Sequence, residues 1–482
     1  MPISKRFIST SCELDFVLRL EVAMIAVIAK KDLRGLIRDG RLPFVGGLAL
    51  ILLFTSIAAG WRLQSETAAE RATVQERGYE TWVKQGAKNP HSAAHLGMHV
   101  FKPEPPLALF DPGLEPFVGQ SVWLEAHRQN DFGFRPAQDA TGLRRFGDLS
   151  AAYVLQILMP LVIVVLGFDA LAGERESGTL RQLASIGVAP GRLLWGKALA
   201  IGGASAALLI PALVLSLIAT FQAATAGVVA DNLARLIWLF VGYSLYLGTF
   251  LFVTLAVSIS APNTRIALVA SLAIWATITI VVPRAASEAA QAYLPTPSRM
   301  DFDSALSVDL DAAQHKAYEE NFHVSSWQQL PAEESGRALR IDDHAGYGVF
   351  DKHYGTLWDL FERQQRLQEW LGIASPLVAL RSVSVSMAGT DLAQLRRFAV
   401  AAEAHRRLIQ DMMSSERMAH PAEGYNYQAP AELWAKVPPF RFTELESAEA
   451  VAHCWKELTA LSVAFGLSLL AATVTARRLS PM

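Results

Sequence analysis

Charge is scarce in this chain. Only 18% of its 482 residues are Asp, Glu, Lys or Arg, against about 25% in an average soluble protein. The shortfall sits in discrete apolar blocks, which excludes an ordinary soluble domain and marks an integral membrane protein with soluble portions. Neither sign of charge dominates. A net charge of −2 gives no electrostatic ground for a nucleic-acid partner. Cysteine is nearly absent: Cys12 and Cys454 are the two in the chain, and the topology derived below puts them on opposite sides of a membrane, so no intrachain disulfide framework is available. Internal repeats and low-complexity tracts are lacking as well. No G-x-S-x-G, H-E-x-x-H or C-x-x-C occurs, which leaves catalysis without a motif to rest on, and no soluble block alternates strand and helix patterns as an ATPase domain would.

What the chain does have is long apolar runs. A helix needs roughly 17–25 apolar residues to cross a bilayer at about 1.5 Å per residue. Six segments qualify: Leu42–Gly60, Ala151–Ala170 (within 149–170), Ala198–Thr220, Leu236–Ser260, Ile266–Val282 and Leu458–Ala476. Backbone groups find no partner in lipid, so each must be helical, and Pro211 is expected to kink the third. Orientation follows from the basic residues. Lys5, Arg6, Arg19, Lys30, Lys31, Arg34, Arg38 and Arg41 precede the first span; Arg175, Arg181, Arg192 and Lys197 follow the second; Arg265 precedes the fifth; Arg477 and Arg478 follow the sixth. The loop Phe221–Ala234 has none. Segments 1–41, 171–197 and 477–482 are thus placed in the cytoplasm, with both termini there. The short apolar run Val22–Ala29, flanked by Arg19, Glu21, Lys30 and Lys31, reads as an amphipathic helix in the inner interface. A signal peptide is the weaker alternative, because charge interrupts its core.

Segments 61–148 and 283–454 are left outside, each large enough to fold. The first opens with a charged helical pattern from Arg62 to Lys84. The second carries Leu357, Leu360, Phe361, Leu367, Trp370 and Leu371 at helical spacing, and another such stretch runs from Leu395 to Met413. Strand-like alternation is scarce. The expected fold is an all-α integral membrane protein: six transmembrane helices with a mainly helical extracytoplasmic domain.

One cytoplasmic stretch points to a mechanism. Gly173–Leu180 reads G-E-R-E-S-G-T-L directly after the second span. Its acidic side chains and hydroxyl suit a helix N-terminus, so the expectation is a break, a short helix over Leu180–Ile186, then a turn at Pro190–Gly191. Arg192, Gly196 and Lys197 then anchor the third span at the interface. The bland reading is that such a polar loop only solvates a helix end. The pattern E-R-E-S-G-T-L followed by R-x-x-x-x-G-K, together with the six spans, interfacial N-terminal helix and long gap between spans one and two, resembles the permeases of the ABC type-2 transporter superfamily. Within it, N-P-H-S-A-A-H (Asn89–His95), F-K-P (Phe101–Pro103), D-P-G (Asp111–Gly113) and S-V-W-L-E-A-H (Ser121–His127) resemble a bacterial subgroup with two large outer segments.

The resemblance implies a separate ABC ATPase chain that binds ATP and Mg²⁺ and docks on the short helix, a second permease subunit (identical or related), and no cofactor held by this chain. It implies that Glu174, Arg175, Glu176, Ser177, Gly178, Thr179 and Leu180 couple ATPase movement to the spans. A permease of a bacterial inner membrane, exporting rather than importing, is the leading reading. A mechanical transmitter acting on a periplasmic partner, in metal-site maturation or envelope assembly, is the second. A membrane sensor without ATP is a third, and it lacks any recognisable cytoplasmic signalling domain.

Several other features of the chain point less clearly to chemistry. Gly191–Ala198 satisfies G-x-x-x-x-G-K, but Ala198 stands where a phosphate loop needs Ser or Thr. His91, His95 and His99 are spaced i, i+4, i+8 and would share a helix face able to hold zinc or copper, yet Gly97 weakens that helix and no further ligand is evident, so no metal is expected. His315, His323, His344 and His353 are scattered. Asp342 and Asp343 read as solvated loop residues, and Lys456 and Glu457 as anchors at the edge of the last span.

Overall fold

The computed structural model describes residues 3–133, 135, 149–221 and 226–479, with side chains from Glu21 onward except those of Ala219 and Ala226. A helix α1 (Ile3–Arg38) leads into α2 (Leu42–Val83), α3 (Pro90–Ala94) and three short strands, β1 (Met98–Phe101), β2 (Ser121–Leu124) and β3 (Phe132–Gly133). Then come α4 (Ala151–Glu176), α5 (Thr179–Ser185), α6 (Pro190–Phe221), α7 (Ala226–Ser260) and α8 (Thr264–Tyr293). Helices α9 (Arg299–Phe322), α10 (Ser335–Leu371), α11 (Pro376–Ala388), α12 (Leu392–Ala419) and α13 (Ser447–Arg477) complete the chain.

Helices α2, α4, α6, α7, α8 and α13 are long and apolar enough to cross a membrane, and they contain the six segments expected from the sequence. Within their most apolar windows, 67% of α4 and 56% of α7 is buried inside the chain, against 22% for α8 and α13. The bundle is therefore built around α4 and α7, and the outer helices turn apolar faces away from the chain. Leu239, Tyr243, Tyr246 and Phe250 form the buried stripe of α7 at helical spacing. Helix α6 continues through Pro211 without interruption.

Three spans contain a π turn, at Leu42–Gly46 in α2 and in α4 and α8; in the latter two, carbonyls of the turn find side-chain donors. In α4 the turn Val154–Leu158 offers Ile157 O to Trp275 Nε1 (3.1 Å) and Gln156 O to Tyr246 Oη (2.6 Å). In α8 the turn Thr277–Val281 offers Ile278 O to Ser375 Oγ (2.7 Å). That serine leads into α11, whose Leu377, Leu380, Val383 and Met387 are buried in the bundle core. Helix α11 was not anticipated: thirteen residues are too few to span, and its burial depends on partners distant in sequence.

A second core lies at the far end of the bundle. Helix α2 does not stop at Gly60 but runs on to Val83, about 63 Å at 1.5 Å per residue. Its Trp82 is fully buried against Trp434, donating Nε1–H to Trp434 O (3.1 Å). Around this pair pack α12 (Phe398, Ile409, Met413) and a three-stranded antiparallel sheet, order β1-β2-β3, with Met98 opposite Leu124 and Val122 opposite Phe132. The sheet corrects the expectation of a helix running through His99. Gly97, at φ +63°, ends that helical turn, and β1 begins at the next residue. Helices α10 and α12 are joined by Arg407–Asp351 (2.7 Å) and by Arg340, which donates to Asp411 O (2.8 Å).

The two cores meet along a polar seam. Lys102 and Glu115 form a buried pair at 2.5 Å, and Lys102 also donates to Gly389 O just beyond α11. Asp111 accepts from Ser384 on α11 (2.5 Å); Ser384 contacts Tyr243 of α7 (3.1 Å), and Tyr243 contacts Gln156 of α4 (2.9 Å). The F-K-P and D-P-G motifs thus build the joint between appended domain and bundle. Cys454 is a buried free thiol; the side chain of Cys12, most of stretch 134–148, residues 222–225 and tail positions 480–482 lie outside the described residues.

Removing one member of a buried ion pair strands the other's charge, at about 3–5 kcal/mol. Lys102→Met is expected to lower the unfolding midpoint in detergent substantially, and the double change Lys102→Met with Glu115→Leu to recover part of the loss. A single variant as stable as the parent would contradict this joint.

Candidate functional site

At the end of the bundle opposite the appended domain, α4 unwinds after Gly167. Leu171 N and Ala172 N donate to Ser258 Oγ of α7 (3.0 and 3.1 Å), which fixes the break. One further turn, Ala172–Glu176, carries the acidic motif, and Gly178 then reverses the chain into α5. Gly178 sits at φ +75° with no atom near a built Cβ, so the requirement is conformational: any other residue costs about 1–2 kcal/mol in the left-handed region.

Successive residues of a helical turn point about 100° apart, and E-R-E uses this to reach three neighbours. Glu174 Oε1 holds Lys197 of α6 (2.9 Å) and Lys31 of α1 (3.3 Å). Both guanidinium amino groups of Arg175 donate to carbonyls where α7 ends, at Ile259 within its last turn and at Ala261 just beyond it. Glu176 Oε2 accepts from Thr264 N (3.2 Å) and Oγ1 (2.8 Å), which begin α8. Lys197, whose side chain is 5% exposed, also binds Asp32 of α1 (3.1 Å). Arg41 at the entrance to α2 pairs with Asp169 (2.6 Å) and Asp39 (2.6 Å), and Arg192 with Glu21 (2.7 Å). Lys31, Asp32, Arg41, Asp169, Glu174 and Lys197 line a cavity of about 360 Å³.

Burial works against the charges on Lys31 and Arg41, but their carboxylate partners outweigh it. Glu174 and Asp32 raise the Lys31 pKa, and Asp39 and Asp169 raise that of Arg41. Both remain cations at neutral pH. Helix α1 lies close on α6: a Cβ at Gly196 would fall 2.4 Å from Ile28 Cγ2, so only glycine allows this approach.

The expected coupling set therefore divides. Glu174 and Arg175 point inward and Leu180 is buried, whereas Glu176, Ser177, Gly178, Arg181, Gln182 and Ile186 are exposed, with Ile186 at 75%. Thr179 Oγ1 turns back to Glu174 O (3.2 Å). Lys197 is buried among carboxylates that come from elsewhere in the chain. Pro190 and Gly191 are not a turn but the start of α6, where proline fits; the reversal uses Gly187 at φ +80°. No strand precedes Gly191–Lys197, which removes the phosphate-loop reading. Sequence reasoning missed Asp32, Asp169, Ser258 and Thr264, each an ordinary polar residue until the fold brings it to the loop.

The chain matches the family model "ABC-2 family transporter protein" over residues 26–402. It belongs to that family. It finds no match among curated proteins. As an ABC-2 chain it is a membrane-embedded transporter component and not the catalytic one. The match spans α1 from its middle, the Glu174 loop and the appended domain as far as α12.

Within the appended domain of this ABC-2 chain the histidines sort differently from their spacing. Asn89 caps α3 by accepting from His91 N (3.0 Å), with Pro90 at the first helical position. His91 and His95 then share a face, with Nε2 atoms 3.2 Å apart. The third member is not His99, which lies on β1 against Trp123, but His127 at the β2 hairpin corner. Asp342 and Asp343 are not loop residues: both lie on α10, and Asp343 is 4% exposed. His127 Nδ1 is 3.1 Å from Asp343 and 3.6 Å from Asp342.

Burial, aided by repulsion from His127 and His95, lowers the His91 pKa to about 3, and burial lowers that of His99. Burial and the charge of His127 also lower His95. Burial opposes the His127 cation too, but the Asp343 carboxylate overrides it and raises the pKa. Burial pushes Asp342 up to about 6, with the pull of His127 partly offset by Asp343. His344 and His353 pair with Asp411 and Asp309 (both 2.9 Å), His323 ends α9 at φ +57°, and His315 is exposed. Lys456 is exposed and Glu457 half-buried, both on α13 immediately before its apolar segment.

The α1–α6 contact yields a direct test. Gly196→Ala is expected to cost about 1–3 kcal/mol by overpacking. Gly203→Ala on the open face of the same helix is expected to gain about 0.5–1 kcal/mol. Thermal unfolding of the two variants should move in opposite directions, and a neutral Gly196→Ala would contradict the close approach.

Proposed function

We propose that this ABC-2 chain is the permease subunit of an ATP-driven exporter in a bacterial cytoplasmic membrane. Both termini, α1 and the Glu174 loop face the cytoplasm, and segments 61–148 and 283–454 face outward. A separate ATPase binds ATP and Mg²⁺ and docks on Glu176, Ser177, Gly178, Arg181, Gln182 and Ile186. Two permease subunits, identical or related, pair in the membrane, and the chain falls in the subgroup with large outer segments. The asymmetry of basic residues supports the orientation. The observation that carries the reading is the divided loop. Its outward face is exposed and bears Ile186, while Glu174 and Arg175 on its inward face tie it to α1, α6 and α7, and Glu176 at its edge ties it to α8. A push on α5 is therefore delivered to four helices.

A second reading is favoured by α2. This helix runs unbroken from the loop end of the bundle to Trp82 in the appended core, a geometry suited to passing movement to a periplasmic partner rather than through a pore. Co-purification of such a partner with the appended domain, without substrate-stimulated ATPase activity, would favour the transmitter over the exporter.

Co-expression with its ATPase tests the docking face. Ile186→Asp combined with Arg181→Glu is expected to abolish co-elution and raise ATP hydrolysis no further than the free ATPase, with the permease itself as stable as the parent. Undiminished co-elution would refute docking at this face.

A further inference from the structure

The strongest unassigned feature is the histidine cluster of the appended domain. His91 and His95 sit one helical turn apart, so their imidazoles project from one face. His127 arrives from the hairpin corner, and the offered nitrogens of all three lie within 4.8 Å of one another. Two imidazole nitrogens bound tetrahedrally at 2.0–2.1 Å stand about 3.3 Å apart. His91 Nε2 and His95 Nε2 are 3.2 Å apart, and the farthest pair would need to close by about 1.5 Å, within reach of ring rotation.

Two independent observations point to a cation. The first is Asp343: its side chain is 1% exposed, yet neither carboxylate oxygen has a well-formed hydrogen bond. A buried carboxylate left in that state is costly. Its neighbour is His127 Nδ1, and an ion on His127 Nε2 would fix the tautomer that donates Nδ1–H to Asp343, the carboxylate–histidine arrangement that supports metal sites. The second is the backbone of His127, held at φ +57°, a region costing about 1–2 kcal/mol for a residue with a Cβ. Strain of this kind persists where a side chain must be aimed.

We propose that His91, His95 and His127 bind one late first-row divalent ion, of which Zn²⁺ is the reference, with Asp343 orienting His127 from behind. Three imidazoles without thiolate or a full oxygen set suit Co²⁺, Ni²⁺, Cu²⁺ or Zn²⁺ and not Ca²⁺ or Mg²⁺. His95 is exposed, so the fourth position opens to solvent and takes water or an outside ligand. The ion would clip α3, which follows directly on α2, to the sheet and to α10. This inference does not depend on ATP coupling and can fail without touching it.

The test uses the full chain in detergent, carrying no histidine tag and stripped by chelator, titrated with Zn²⁺ and then Co²⁺. One equivalent per chain and the visible absorption of tetrahedral Co²⁺ are expected. His95→Ala should weaken binding at least 10-fold with an unchanged metal-free unfolding midpoint, since the side chain is exposed. Asp343→Asn should weaken it about 10–100-fold, and His99→Ala should not. Binding that is substoichiometric, indifferent to His95→Ala, or equally lost in His99→Ala would overturn the proposal.

Discussion

The loop end of the bundle depends on one carboxylate. Glu174 holds Lys197, which the bundle buries, and Lys197 in turn holds Asp32. Lys197 is buried with its charge, so removing its carboxylate partners carries a large penalty. Helices α1, α4 and α6 are thereby fastened at a single point, and Arg175 and Glu176 extend the fastening to the end of α7 and the start of α8. The turn that leads into the short exposed helix at this end is thus bonded to most of the bundle. The glycine at 196 completes the arrangement by letting α1 lie directly on α6.

The opposite end obeys the same logic with different residues. Asp111, Ser384, Tyr243 and Gln156 form one polar chain from the appended domain to the centre of the bundle, and the buried charges of Lys102 and Glu115 neutralise each other. Helix α2 joins the ends covalently. Bundle and domain share a hydrogen-bonded polar seam, and neither can shift far without unpairing buried groups.

The six spans were legible because lipid imposes a length and a composition that local sequence alone reveals. The position of the loop was legible for the same reason, as a polar octet between apolar runs. Its division into inward and outward faces was not, because Lys31, Asp32, Ser258 and Thr264 reach it only through the fold. Lys197 shows the limit plainly: a lysine opening an apolar run gives no sign of Asp32 and Glu174 until the fold places them beside it. Helix α11 is too short to announce itself. His127 lies 32 residues beyond His95, so spacing pointed instead to His99, which Gly97 diverts into a strand.

The central claim is that the loop end faces the compartment that holds ATP and the appended domain faces the other. In a chain with Cys12→Ser and Cys454→Ala, single cysteines at exposed Ile186 and exposed Met300 of α9 report this directly with a membrane-impermeant maleimide. Ile186→Cys should react only in inverted vesicles and Met300→Cys only in right-side-out vesicles. Labelling of both from the same side, or the reverse pattern, would contradict the account.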